Sequence, residues 1–190
     1  MVEWESEKMA EVKKLDENSA LDRQLTRLWK QARDVRGLFL EQAIFIENLI
    51  GDIISWHFCP DEDRRNLFFS LIINNPDFTF SSKIKVLRQL LKLRYPELDK
   101  KYPEVIKELE KVIKFRNKVA HRMLDSSEQF LAKKLTDRIQ LVYFKDGQEK
   151  HEVVTVKDMQ ERLKACSRLV LTIVDIQKEV IQRVQVKDFK

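Results

Sequence analysis

The chain has 190 residues, of which 43% are hydrophobic and 35% charged, so it is long enough for one domain with a sizeable core. Only three glycines, among many Leu, Ile, Lys and Glu, point to long helices. The net charge of +5 permits an anionic partner, and the acidic start Glu3-Trp4-Glu5-Ser6-Glu7 is unlike the basic leader of a signal peptide.

The first 36 residues are strongly charged, with helical patterning from about Ala20 through Leu21, Leu25, Leu28, Ala32 and Val35. They read as an N-terminal helical arm, residues 1–36, ahead of a helical domain over residues 37–190. A second helix is expected from Leu38 to about Phe58, apolar over most of its circumference and therefore central. Glu41, Glu47, Asn48 and Asp52 interrupt it, so it is not a membrane span. Pro60 ends it, and Asp61 caps a shorter helix through Ile72.

Asn74-Asn75-Pro76-Asp77 is a turn, followed by a short extended piece, Phe78-Thr79-Phe80, and a Ser81-Ser82 cap. A helix from Lys83 to about Arg94 should turn Ile84, Leu87, Leu90 and Leu91 inward. Tyr95-Pro96 breaks it, and Pro103 opens the next helix. Beyond Leu124, Ile139–Phe144 and Glu152-Val153-Val154 flank Asp146-Gly147, a strong hairpin signal. Thr155 and Asp158 resemble a capping box before a last helix through roughly Val184. The fold class is thus mainly α, a helical bundle with one β-hairpin inserted before the last helix.

Chemistry concentrates on the helix running from Glu104 to Met123. At about 100° per residue, Val105, Leu109, Val112, Val119, Ala120 and Met123 share one face, with Phe115 at a margin. Arg116 falls in the middle of that face. An unpaired buried charge costs several kcal/mol, so a polar partner is expected inside the fold or at a subunit interface. Asn117 and His121, four residues apart, stack on one margin of the stripe. A fixed cation, an amide and a titratable imidazole are the equipment for handling a phosphate. The bland account is a chance Arg-x4-His pair in an arginine-rich chain, its cation stabilised by the helix dipole.

Lys107, Lys111, Lys114, Lys118 and Arg122 recur at spacings of three or four as a basic stripe that could track an RNA backbone. Balanced by Glu104, Glu108 and Glu110, it could equally be a solvated face. Glu47 could pair with Arg116 and fix its geometry, or face an interface or solvent gap instead. Trp29 and Trp56 read as packing residues. Cys59 and Cys166 are far apart, and His57-x-Cys59 is too short to be a zinc site. No metal or cofactor is expected, and a reducing cytoplasm fits best.

The hexad Arg116-Asn117-Lys118-Val119-Ala120-His121, with the order of elements over residues 38–184, resembles the HEPN superfamily (higher eukaryotes and prokaryotes nucleotide-binding domains). Its signature is an arginine, usually a polar follower, and a histidine after four to six intervening residues. Looser cues are the apolar Leu38–Phe58 helix, the Phe80-Ser81-Ser82-Lys83-Ile84 entry and the hairpin. The resemblance implies a four-helix-type domain that dimerises and brings two motifs together. It implies a metal-independent endoribonuclease, often of toxin–antitoxin or antiphage systems, although other members are non-catalytic RNA- or protein-binding modules. Arg116 would then clamp phosphate, Asn117 orient the histidine or bind phosphate, and His121 act as general acid/base. The expected products carry 2′,3′-cyclic phosphates. With no effector domain fused, an antitoxin or nucleotidyltransferase partner would be a separate protein. A purely structural helical domain with a coincidental hexad is the remaining alternative.

Overall fold

The computed structural model describes residues 2–125, 127, 130 and 138–187, with side chains from 22 to 185 apart from those of 25, 28, 32 and 35. The chain is mainly helical, with a small antiparallel sheet before the last helix. Helix α1 spans Val2–Phe58, α2 Glu62–Phe68 with a π-helical continuation Phe69–Ile73, and α3 Phe80–Arg94. After these come α4 (Pro96–Lys101) and α5 (Val105–His121), then strands β1 (Met123–Leu124), β2 (Arg138–Lys145) and β3 (Gln148–Thr155), and finally α6 (Val156–Lys187).

Two compact units divide the chain, residues 38–120 with 161–190 and residues 1–37 with 121–160. The first has a four-helix core. Helix α1 gives it Phe39, Ala43, Ile46, Ile50, Ile53 and Ile54, spaced at three and four residues. Facing side chains come from α3 (Ile84, Leu87, Leu91), α5 (Leu109, Val112, Phe115, Val119) and α6 (Leu169, Ile173, Ile176, Val180). Polar links pin the helices at their margins: Gln177 to Asp52, Arg88 to Glu110, and Lys101 to Glu179.

The second unit contains the sheet, in order β1-β2-β3. Asp146 and Gly147 take φ of 53° and 72°, the left-handed pair that a two-residue hairpin needs to match strand twist. Ile139, Leu141 and Val154 are buried on one sheet face. The capping box forms as expected, with Asp158 N–H donating to Thr155 Oγ1 at 3.0 Å and Thr155 N–H to Asp158 Oδ2 at 3.3 Å. Arg36 donates to the carbonyl of Arg122, tying α1 to the sheet within this unit.

Several local expectations change. The arm and the helix from Leu38 are one continuous helix through Gly37. The expected pattern Leu21, Leu25, Leu28, Ala32 and Val35 lies outside the described side chains. Thr79, rather than Ser81-Ser82, caps α3, accepting from Ser82 N–H at 3.2 Å, so Phe80 is helical and buried. Met123-Leu124 leaves the motif helix and becomes a third strand, paired with Val142 and Leu141. Strand pairing satisfies backbone groups that a fraying helix end would leave open. Trp29 is 57% exposed rather than packed, whereas Trp56 lies under the Arg65 guanidinium at 3.6 Å.

Two glycines of α1 should respond oppositely to alanine. A Cβ at Gly37 meets nothing within 4 Å, so Gly37→Ala should add about 0.5–1 kcal/mol of stability. At Gly51 it would lie 2.6 Å from Ile73 Cγ2, a buried, stiff β-branched methyl. Overpacking of about 1–3 kcal/mol outweighs the roughly 1 kcal/mol helix-propensity gain, so Gly51→Ala should lower the urea midpoint. Equal shifts of the same sign in the two variants would contradict this assignment.

Candidate functional site

Helix α5 is oriented by Phe115. Its ring meets Phe39 edge-on at 4.8 Å between centroids, and the Arg162 guanidinium lies 4.2 Å from its centre. A phenylalanine 3% exposed in this position shifts the centre of the buried arc toward Phe115 and away from Arg116. Arg116 stays inside the angular range spanned by Val105, Leu109, Val112 and Val119, but it sits near the helix end and is half-buried. Its stem covers apolar surface while its head reaches outward. Arg116 Nη1 donates to Asn117 Oδ1 at 3.1 Å, and no carboxylate of the described residues pairs with it.

His121 is the last residue of α5 and is exposed. The division between the two units falls between Ala120 and His121. The hexad therefore keeps its helical register, with Arg116 and Asn117 in the helical unit and His121 at the start of the sheet-bearing one.

Glu47 does not support Arg116. Its carboxylate takes Lys83 Nζ at 2.8 Å, the two side chains being 20% and 5% exposed. Lys83, expected only as the first residue of its helix, is a buried cation, and it satisfies the carboxylate that α1 turns inward. The basic stripe is also altered. Lys107 pairs with Glu104 at 2.9 Å and Lys111 with Glu108 at 2.6 Å, each three residues back along the chain. Glu104 is held below, and Lys107 above, its ordinary value, chiefly by their mutual hydrogen bond. Lys114 is exposed, and Lys118 Nζ lies 6.0 Å from the centre of the Phe115 ring. Arg122 is off the helix altogether. It stacks at 3.7 Å on Tyr143 and forms an ion pair with Glu152.

The sheet-bearing unit holds a second polar cluster, around Asp125. Asp125, 5% exposed, accepts from Ser127 N–H at 2.9 Å and from Gln140 Nε2 at 2.7 Å. The same amide nitrogen lies 2.7 Å from His151 Nδ1, while His151 Nε2 lies 2.9 Å from Glu149. Nδ1 also lies 3.3 Å from Asp125 Oδ2, so, according to tautomer, the ring accepts from the Gln140 amide or donates its own N–H to Asp125. Glu149 and His151 alternate on β3 and so share a face, a signal visible in the sequence, but the β2–β3 register is needed to bring Gln140 diagonally opposite.

Among the described residues, no group of three or more His, Cys, Asp or Glu could hold a metal ion, and no helix is long and apolar enough to cross a membrane. Cys166 is buried, which pushes its thiol up to about 11 and makes it a packing group. Comparison with family models, with curated proteins and with solved structures finds no match. The HEPN resemblance therefore stands on the hexad and the element order.

Two outcomes test these electrostatics. Lys83→Met should cost about 1–3 kcal/mol, because it leaves the part-buried Glu47 carboxylate without its partner, and Glu47→Leu added to it should recover most of the loss. Additive losses in the double variant would show that the pair is not coupled. Burial alone would raise the Asp125 carboxyl, but hydrogen bonds from Ser127 and the nearby His151 outweigh it and hold the group below its ordinary 3.8. A depressed folded value stabilises the fold above the unfolded value and loses that effect as pH falls through the folded one. Asp125→Asn should thus be less stable than the parent at pH 7, by about 1–3 kcal/mol, with the gap closing below about pH 3.8. Urea unfolding at pH 7 and pH 3 measures both, and a gap independent of pH would refute the assignment.

Proposed function

We propose that this chain is a metal-independent endoribonuclease of HEPN type that works as a homodimer. The observation that carries the reading is Arg116, a half-buried residue on the apolar face of α5 whose guanidinium is hydrogen-bonded to its neighbouring amide rather than to a carboxylate. An arginine of a purely structural helix end would be expected to find an acid or project fully into water. One held this way keeps N–H donors free for a phosphate. Asn117 uses Oδ1 on Arg116, which leaves its NH2 to donate to a phosphate oxygen or to an imidazole.

In the proposed reaction the RNA's own 2′-hydroxyl attacks the adjacent phosphorus. A base removes the hydroxyl proton, and an acid protonates the departing 5′-oxygen, leaving a 2′,3′-cyclic phosphate and a 5′-hydroxyl. Arg116 and Asn117 stabilise the added negative charge of the crowded phosphorane. One chain supplies one histidine at the hexad, and a two-fold dimer supplies two, so that base and acid can be separate groups. The setting that suits such an activity is a cytoplasmic toxin or antiphage effector restrained by a separate antitoxin or nucleotidyltransferase.

The pairing of Lys107 with Glu104 and of Lys111 with Glu108 favours a second reading, a non-catalytic RNA- or protein-binding module, and of its two kinds the protein-binding one, because two of the five cations of the expected backbone track already have acidic partners. Incubation of the purified chain with total RNA in EDTA separates the two. The enzyme reading expects cleavage with 2′,3′-cyclic ends, a drop of about 100-fold or more in His121→Ala, and no rescue of Arg116→Ala by Arg116→Lys. It also expects a dimer at micromolar concentration by sedimentation. Cleavage that survives His121→Ala, or a strictly monomeric active species, would remove this site from the reaction.

A further inference from the structure

Within the helical unit, the end of α1 and the outer face of α3 enclose an open apolar groove of about 380 Å³. Its floor is Val86, Leu90 and Leu93 from α3, with Phe58 from α1 as one wall. Leu93 is 74% exposed and Phe58 55%, large values for apolar side chains beside a filled core. The same helix already buries Ile84, Leu87, Leu90 and Leu91, so the fold gains nothing by leaving Leu93 and part of Val86 open beside Phe58.

Charge says what fits there. On α3, at about 100° per residue, Val86 and Leu93 lie centrally, while Lys85 and Arg94 fall on opposite rims and at opposite ends. Both cations are exposed and have no carboxylate partner among the described residues, and no acidic side chain lines the groove. The run from 85 to 94 is about 13 Å long, two to three helical turns. A two-fold contact with a second copy through this face would set like cations near one another, which disfavours self-pairing. Nucleic acid suits the two cations but not the apolar floor between them.

We infer that this groove is a docking site for an amphipathic helix of another protein, about three turns long, with apolar anchors at i, i+4 and i+7 and acidic residues toward both ends. The apolar anchors would cover Phe58, Val86 and Leu93, and the acids would meet Lys85 and Arg94. The site is independent of the ribonuclease reading, so His121→Ala should bind as the parent does.

The experiment uses the full chain and a synthetic helical peptide of about 14 residues, with Leu at the three anchor positions and Glu at both ends, followed by fluorescence anisotropy. Binding by the parent should weaken about tenfold or more in Leu93→Glu, whose site is too exposed to disturb the core. The double variant Lys85→Glu/Arg94→Glu should reject this peptide and accept one with Lys at both ends, a gain that misfolding cannot mimic. The inference is overturned if the parent does not bind, if a peptide with Ser at the anchors binds equally well, or if Leu93→Glu leaves affinity unchanged. It is also overturned if the groove's occupant proves to be phosphatidylserine vesicles, or a second copy whose association is lost in Leu93→Glu.

Discussion

The packing of Phe115 decides how the hexad is presented. Its ring fills the slot between Phe39 and Arg162, and a buried aromatic of that size contributes more than any alternative occupant of the same arc. Once Phe115 is seated, the rotation of α5 is set, and Arg116 follows about 100° later, within the covered arc but near the helix end. The guanidinium is thereby spared full desolvation yet is not surrendered to solvent. Asn117, a further 100° on, is placed where its carbonyl oxygen can accept from Arg116. An aliphatic residue at 115 would leave the helix freer to roll, and a roll inward would demand a carboxylate that the helical unit has committed elsewhere.

That commitment is the Lys83–Glu47 pair. A buried pair of this kind contributes little net stability, since desolvation offsets most of the attraction, but either member alone is costly. It constrains how α3 lies against α1, because only one arrangement brings Nζ to the carboxylate. It also removes Glu47 from the set of groups available to Arg116. The surface pairs on α5 act differently. Lys107–Glu104 and Lys111–Glu108 are exposed and individually weak, so a strong polyanion could displace them at small cost.

What was legible in the sequence was local chemistry. Asp61 caps α2, Asp146-Gly147 makes the hairpin turn, Pro96 and Tyr95 interrupt α3, and Thr155 with Asp158 starts α6, each because a few adjacent atoms settle the outcome. What was not legible depended on distant parts of the chain. Met123-Leu124 has strong helical periodicity with Val119, and only the presence of β2 makes a strand of it. Glu47 and Lys83 are 36 positions apart, and no spacing rule links them. Arg122 continues the α5 charge stripe in sequence, but the helix ends one residue earlier and Glu152 lies across the sheet. The hexad itself was visible, whereas the degree of Arg116 burial was not, since it turns on which neighbour takes the core slot.

Helix α3 closes a core on one side and leaves apolar surface open on the other. A helix whose work is only to close a core needs one apolar stripe, and Ile84, Leu87 and Leu91 with Phe80 supply it. Outside that closure Leu93 and the half-buried Val86 carry the usual solubility liability of exposed apolar surface. The two unpaired cations on its rims oppose self-association without filling the groove, which is the arrangement expected where a face must stay open for something else. Phe58 extends the same logic to α1, since its ring is half outside the core and approaches Phe68 at 6.3 Å across the α1–α2 turn. The fold thus leaves two kinds of unfinished chemistry on separate helices, a cation without an acid on α5 and an apolar stripe without a cover on α3.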